Sequence, residues 1–253
     1  MKGITRREML GRSSLAAVGL GAGLPASAEI EKPARKLNIV VAGAHPDDPE
    51  TGCGGTIALY AAQGHTVTIV YLTRGEAGIP GKTHAEAAQI RTAEAEKACA
   101  ILKAKPVFAG QIDGDTKIDG ERYAEFRKLL EAEKPDIVFT HWPVDTHRDH
   151  RAASLLTYDA WLAGGRAFDL YYFEVDQGEQ TQNFHPTHYV NIGTTLQQKH
   201  DACFAHASQR PATDFWPLHS QMQEFRGIEC GVKYAEAFIA ECQNHETTVP
   251  VKA

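Results

Sequence analysis

Cysteine is scarce and unpaired in this sequence. Cys53, Cys99, Cys203, Cys230 and Cys242 make an odd number, none of them in a C-x-x-C pair, which leaves a zinc-finger reading without support. An oxidising compartment would permit a disulfide among Cys203, Cys230 and Cys242, with its pairing open. Cys53 and Cys99 suit small buried apolar positions. Basic charge is in deficit as well, with 26 Lys and Arg against 32 Asp and Glu, a net charge of −6. Lys2, Arg6, Arg7 and Arg12 against Glu8 put +3 into the first 28 residues, so the remainder carries −9. An acidic body without a basic stripe argues against a nucleic-acid partner. Long hydrophobic runs are also missing: Ser13 to Leu24 is shorter than the roughly 20 residues a membrane span needs. No internal repeat or low-complexity stretch appears, and the glycines at 52, 54 and 55 lack the G-x-G-x-x-G spacing of a nucleotide loop.

What is present begins with an address. Thr5-Arg6-Arg7-Glu8-Met9-Leu10, the apolar stretch and Ala26-Ser27-Ala28 follow the order of a twin-arginine export signal with cleavage after Ala28. The expectation is a mature protein of residues 29–253, periplasmic or secreted, with the twin-arginine machinery as its export partner. The 253-residue length and 43% hydrophobic content are ample for a buried core, and no linker interrupts it.

Strand-like and helix-like patterns then alternate. Apolar or β-branched runs at Leu37–Gly43, Thr66–Thr73, Pro106–Ala109, Asp136–Thr140 and Leu170–Val175 read as strands. Helical patterns lie at Thr56–Gln63, His84–Ala104, Arg122–Glu133 and Arg151–Ala163, and from Thr194 the chain reads mainly as helix broken at Pro211 and Pro217. The alternation predicts an α/β fold, a Rossmann-like three-layer sandwich around a mostly parallel sheet. Ligands in such folds bind outside the carboxyl ends of the strands.

Two clusters stand at those ends. His45-Pro46-Asp47-Asp48 follows the first strand, and His147-Arg148-Asp149-His150 closely follows the fourth. Three side chains, His45, Asp48 and His150, can hold one divalent metal, zinc or a neighbour, with a position open for water. Asp47 then lies beside the ion as a general base. His147 is placed to stabilise an oxyanion and protonate a leaving amine, with Asp149 accepting a hydrogen bond that keeps it charged. The bland alternative is that Asp47-Asp48 is a turn or helix cap and that twelve histidines cluster by chance. Pairing at two strand ends favours the site, and with it a hydrolase. His141 reads as a supporting or strand-end residue, and His206 as structural. Gly52 to Gly55 read as backbone passing close beneath the site.

These residues resemble the PIG-L/LmbE-like deacetylases, metal-dependent N-acetylglucosaminyl deacetylases and related amide hydrolases. The resemblance rests on Ala44 to Thr56, His147 to His150, Thr73 to Gly78, Lys199 to Gln209 and Tyr234 to Phe238, and so spans about residues 37–240. It implies metal ligands at His45, Asp48 and His150, a base at Asp47, and an acid or oxyanion stabiliser at His147 partnered by Asp149. It also implies a substrate contact at Arg74, while the family's other oxyanion arginine stays unassigned. The sequence departs from the family pattern at Pro49-Glu50: the glutamate is shifted, as in bacillithiol-pathway relatives, which suggests that Glu50 supports a ligand or meets a substrate hydroxyl. The resulting expectation is a zinc-dependent N-deacetylase acting on a small N-acylated amino sugar or glycoconjugate. The rivals are a metal phosphoesterase and a non-catalytic periplasmic sugar-binding protein.

Overall fold

A computed structural model of the chain describes residues 35–243, so the expected export segment at 1–28 lies outside the described residues. The first five strands are β1 (Asn38–Gly43), β2 (Thr66–Tyr71), β3 (Lys105–Phe108), β4 (Ile137–His141) and β5 (Asp169–Phe173). Between them run α1 (Asp48–Ala62), α2 (His84–Leu102), α3 (Gly120–Glu133) and α4 (Arg148–Ala163). β6 (His188–Asn191), α5 (Leu196–Phe204), α6 (Trp216–Cys230) and β7 (Ala235–Ala240) complete the described chain.

The strands form one seven-stranded sheet in the order β3-β2-β1-β4-β5-β7-β6. β1 to β5 run parallel, and β7 is antiparallel to both β5 and β6. β1 shows why both faces are covered. Ile39 and Val41 join the core beneath α1, α2 and α5, whereas Val40 and Ala42 join the core beneath α3 and α4. Period-two alternation with apolar side chains on both sides is what a buried parallel strand requires. Chain order reverses between β1 and β4, so a crevice opens at their carboxyl ends. His45 leaves β1 there, and His147 follows β4.

The structure departs locally from the sequence pattern. α1 begins at Asp48, eight residues before the expected Thr56, and Gly52 to Gly55 lie inside it. A Cβ on Gly52 would strike Phe173, and one on Gly55 would strike Ile192, so these glycines let α1 press onto the sheet and its neighbour rather than form a loop beneath the site. Pro217 opens α6 instead of breaking it, because a first-turn proline has no hydrogen bond to lose. β7 occupies part of the stretch read as helix. All five cysteines are free, with Cys203 buried and Cys242 exposed.

Candidate active site

Asp48 is the hub of the site. It is the first residue of α1, and its Oδ2 accepts the His45 backbone N–H at 2.7 Å, folding the turn so that both side chains face inward. That same oxygen lies 3.2 Å from His45 Nδ1 and 3.3 Å from His141 Nε2, while Oδ1 lies 3.4 Å from His150 Nε2. Each of the two expected imidazole ligands has a second carboxylate behind its other nitrogen. His150 Nδ1 is 3.2 Å from Asp145 Oδ1, and His45 Nε2 is 3.2 Å from Asp113 and 3.3 Å from Asp149. A carboxylate behind an imidazole fixes its tautomer and turns the opposite nitrogen's lone pair toward a cation. The donor set therefore fits a divalent metal. Among the described residues, three overlapping groups have ligand atoms within 4.8 Å of one another: His45/His147/His150, Asp48/His141/His150 and His45/Asp113/Asp149, which share the members of the expected set between them without matching it.

Electrostatics point the same way. Burial opposes charge on His150, but Asp48 and Asp145 overcome it and lift its pKa to about 9. Burial is likewise overcome at His45, whose pKa is raised by Asp48, Asp113 and Asp149. These carboxylates call for positive charge at the spot where a metal would supply it. His141 behaves differently: burial, together with His150, pushes it down to about 4. Its ring stacks on His150 at 4.1 Å and its Nε2 accepts the Ala44 N–H, so it supports the ligands as a neutral group.

Asp47 occupies the N-cap of α1 and points elsewhere. Its Oδ2 accepts from Arg91 Nη2 at 2.7 Å, and Arg91 also donates to the Pro46 carbonyl. Burial pushes the Asp47 carboxyl up to about 6 against the pull of Arg91. Arg91 itself is buried, threaded beneath a loop where any side chain on Gly75 or Gly78 would collide with its guanidinium.

His147 is the N-cap of α4, which starts at Arg148. Its Nδ1 accepts the Asp149 backbone N–H at 3.3 Å, leaving the hydrogen on Nε2. The expected pairing of the Asp149 carboxylate with His147 is replaced. That carboxylate accepts from Gly114 N (2.7 Å) and Thr116 Oγ1 (2.6 Å) and faces His45, and these partners outweigh burial and hold its pKa well below the usual range. His147 is not kept charged: burial and the neighbouring His45 and His150 lower its pKa.

A cavity of about 570 Å³ opens over these groups, and His45, Asp47, Asp48, His147 and His150 all line it. Ala77 and Gly78 from the loop after β2, and Asp113 and Gly114 from the loop after β3, also line it. Arg74 and Glu50 do not line it. Arg74 donates to Thr92 and lies over the Phe108 ring, and Glu50 is buried beneath Asp47. Arg91 is the arginine on the cavity wall, and Asp113 and Asp145 join it as groups the sequence reading did not single out.

Residues 40–161 match the PIG-L family model, described as GlcNAc-PI de-N-acetylase. Diacetylchitobiose deacetylase of Thermococcus kodakarensis is 32% identical over 213 residues, 76% of this chain and 78% of that protein. This chain belongs to the PIG-L family. The solved structure of N,N'-diacetylchitobiose deacetylase from Pyrococcus horikoshii overlays with a TM-score of 0.72 at 25% identity, covering 85% of this PIG-L chain and 88% of that one. A 4-oxalmesaconate hydratase of Pseudomonas putida is also similar, 26% identical over 75% of this chain and 80% of its own. Within the PIG-L site, Asp145 is the buried carboxylate behind His150 Nδ1, and removing it tests the ligand support. Asp145→Ala is expected to weaken metal affinity about 10- to 100-fold, read by competition against a chelator.

Proposed function

We propose that this chain is a zinc hydrolase that removes the N-acetyl (or a similar N-acyl) group from a small amino sugar or glycoconjugate. The observation that carries the reading is Asp47: a carboxyl on the cavity wall beside Asp48, yet turned to Arg91 instead of to the imidazoles. His45, Asp48 and His150 would hold the metal, which supplies a Lewis acid for the amide carbonyl. Asp47 takes a proton from water as the water oxygen bonds to the carbonyl carbon. Arg91 keeps the receiving carboxylate in place. His147, with its hydrogen on Nε2, donates a hydrogen bond to the developing oxyanion, and Asp47 passes the proton it took from water to the nitrogen as the C–N bond breaks. Acetate and a free amine leave.

Charge favours a hydroxyl-rich, non-anionic substrate. Asp47, Asp48, Asp113, Asp176, Glu179 and Asp214 line the cavity, and Arg91 is the one Lys or Arg side chain among the lining residues. Hydroxyls of a sugar can donate to such carboxylates, whereas a phosphate ester or polycarboxylate would be repelled. The similarity to the hydratase supports a second reading, water addition to a carbon–carbon double bond. A carboxylate-bearing substrate such as the oxalmesaconate in that hydratase's name suits this acidic wall poorly. Metal-replete enzyme offered N-acetylated sugars, amino-acid amides, phosphate esters and an unsaturated polycarboxylate should release acetate and amine in equal amounts from the sugars. Phosphate release or hydration without acetate would overturn the reading. The twin-arginine pattern supports action outside the cytoplasm, and a full-length cytoplasmic form retaining residues 1–28 would contradict that.

A further inference from the structure

Asp47 sits in backbone territory that side chains rarely occupy, with φ of 112° and ψ of −35°. Such a conformation persists only where the surroundings over-determine it. Arg91 holds the side chain and the preceding carbonyl, and Thr51 donates to the Asp47 carbonyl through both its N–H (2.9 Å) and its hydroxyl (3.0 Å). The remaining polar group of Asp47, its own N–H, donates to Glu50 Oε2 at 3.2 Å.

Glu50 forms a capping box with Asp47, an ordinary device for starting a helix. The same chain shows how that device looks when starting a helix is its whole purpose. At α2, Glu86 accepts from Thr83 N with its side chain 54% exposed, as a solvated capping glutamate should be. Glu50 is fully buried instead. Its other oxygen accepts the Tyr71 hydroxyl at 2.5 Å and lies 3.2 Å from His206 Nε2, a ring that is also fully buried. Helix initiation needs none of this. Burying a carboxylate is costly, and this one is tied to β2 through Tyr71 and to the turn after α5 through His206, so the acceptor for the Asp47 N–H has one fixed location.

We infer that Glu50, Tyr71 and His206 form a buried strut that holds the Asp47 backbone in its strained conformation and so aims the Asp47 carboxylate into the cavity. The three are positioning residues. Tyr71 and His206 do not line the cavity, and neither does Glu50. The inference rests on the proposed role of Asp47 for its kinetic consequence, but not for its structural one.

The test therefore has two arms. Tyr71→Phe, the mildest cut, should lower kcat about 10-fold, and Glu50→Ala about 10- to 100-fold, while KM and bound metal stay within about twofold of the parent. Glu50→Gln, whose amide oxygen can still accept the Asp47 N–H, should recover most of the loss seen in Glu50→Ala. In an Asp47→Asn background, Tyr71→Phe should bring no further loss, because a strut for Asp47 has nothing left to aim. A full additional loss there, or a loss confined to KM or metal content, would overturn the inference. The second arm is a crystal structure of Glu50→Ala, or of Tyr71→Phe if the first variant does not fold. Asp47 should relax toward negative φ, and an unchanged φ would overturn the strut whatever the activity. If Asp47→Asn alone keeps full acetate release while the backbone relaxes in the strut variants, the base assignment fails and the strut stands.

Discussion

Asp47→Asn should keep its metal and lose turnover by about 10²- to 10⁴-fold, the range a positioned general base contributes. Asparagine has the same shape, and its carbonyl oxygen can still accept from Arg91, so the cavity wall should survive the change. What disappears is a group that can take a proton from water. Metal content by elemental analysis separates this outcome from ligand loss, because Asp47 faces Arg91 and not the imidazoles. The pH profile provides a second check. With the carboxyl lifted to about 6 by burial, kcat/KM should fall on the acid side as the base becomes protonated. A cation bound at Asp48 lies on the side that favours the ionised form, so loading metal can shift that limb only downward. Acetate release by Asp47→Asn at the parent rate would remove the base from the mechanism, and with it the main reason for choosing hydrolysis.

The sequence exposed this centre because motif and topology coincide. His45 to Asp48 and His147 to His150 each compress donors into four residues within a few positions of a strand end, and a parallel sheet brings such strand ends to one rim. The groups that escaped notice are single residues without a motif. Arg91 left a faint trace: it falls on the buried stripe of α2 with Ala87, Ala95 and Ala98, where a charged residue is out of place unless something pairs with it. Asp113 and Asp145 sit in loops, whose paths depend on tertiary packing that no periodicity encodes. The start of α1 was hidden by its glycines, which normally signal a turn; Phe173 and Ile192 explain them only once the sheet is assembled. The strands β6 and β7 are short or alanine-rich, and neither carries the β-branched runs that marked β1, β2 and β4. For Arg74 and Glu50 the resemblance implies a role, but a matching motif does not determine which way a side chain faces: Arg74 turns to Thr92 and Glu50 is buried.

Metal-free protein should lose stability as pH rises from about 6.5 to about 9, whereas metal-loaded protein should not. The sign follows from His150. Its folded pKa lies near 9, and the unfolded chain gives up the same proton near 6.5. The stabilisation is complete below the lower value and is lost as pH climbs through the upper one, a change of roughly 3 kcal/mol. His45, raised in the same direction by Asp48, Asp113 and Asp149, adds to it. Once both rings are neutral, Asp48 and the carboxylates behind them are buried without a counter-charge, which is the costly arrangement. A divalent ion replaces the protons, so its uptake should release protons within this window and tighten with pH. The gap in Tm between loaded and chelated protein should therefore widen by about 6–12 °C between pH 6.5 and 9. His150→Ala should abolish both the widening and the bound ion, because it removes a ligand and the titrating group together. A Tm gap that stays constant across the window would mean that protons and metal do not compete for one set of atoms, and His45, Asp48 and His150 would no longer qualify as the metal site.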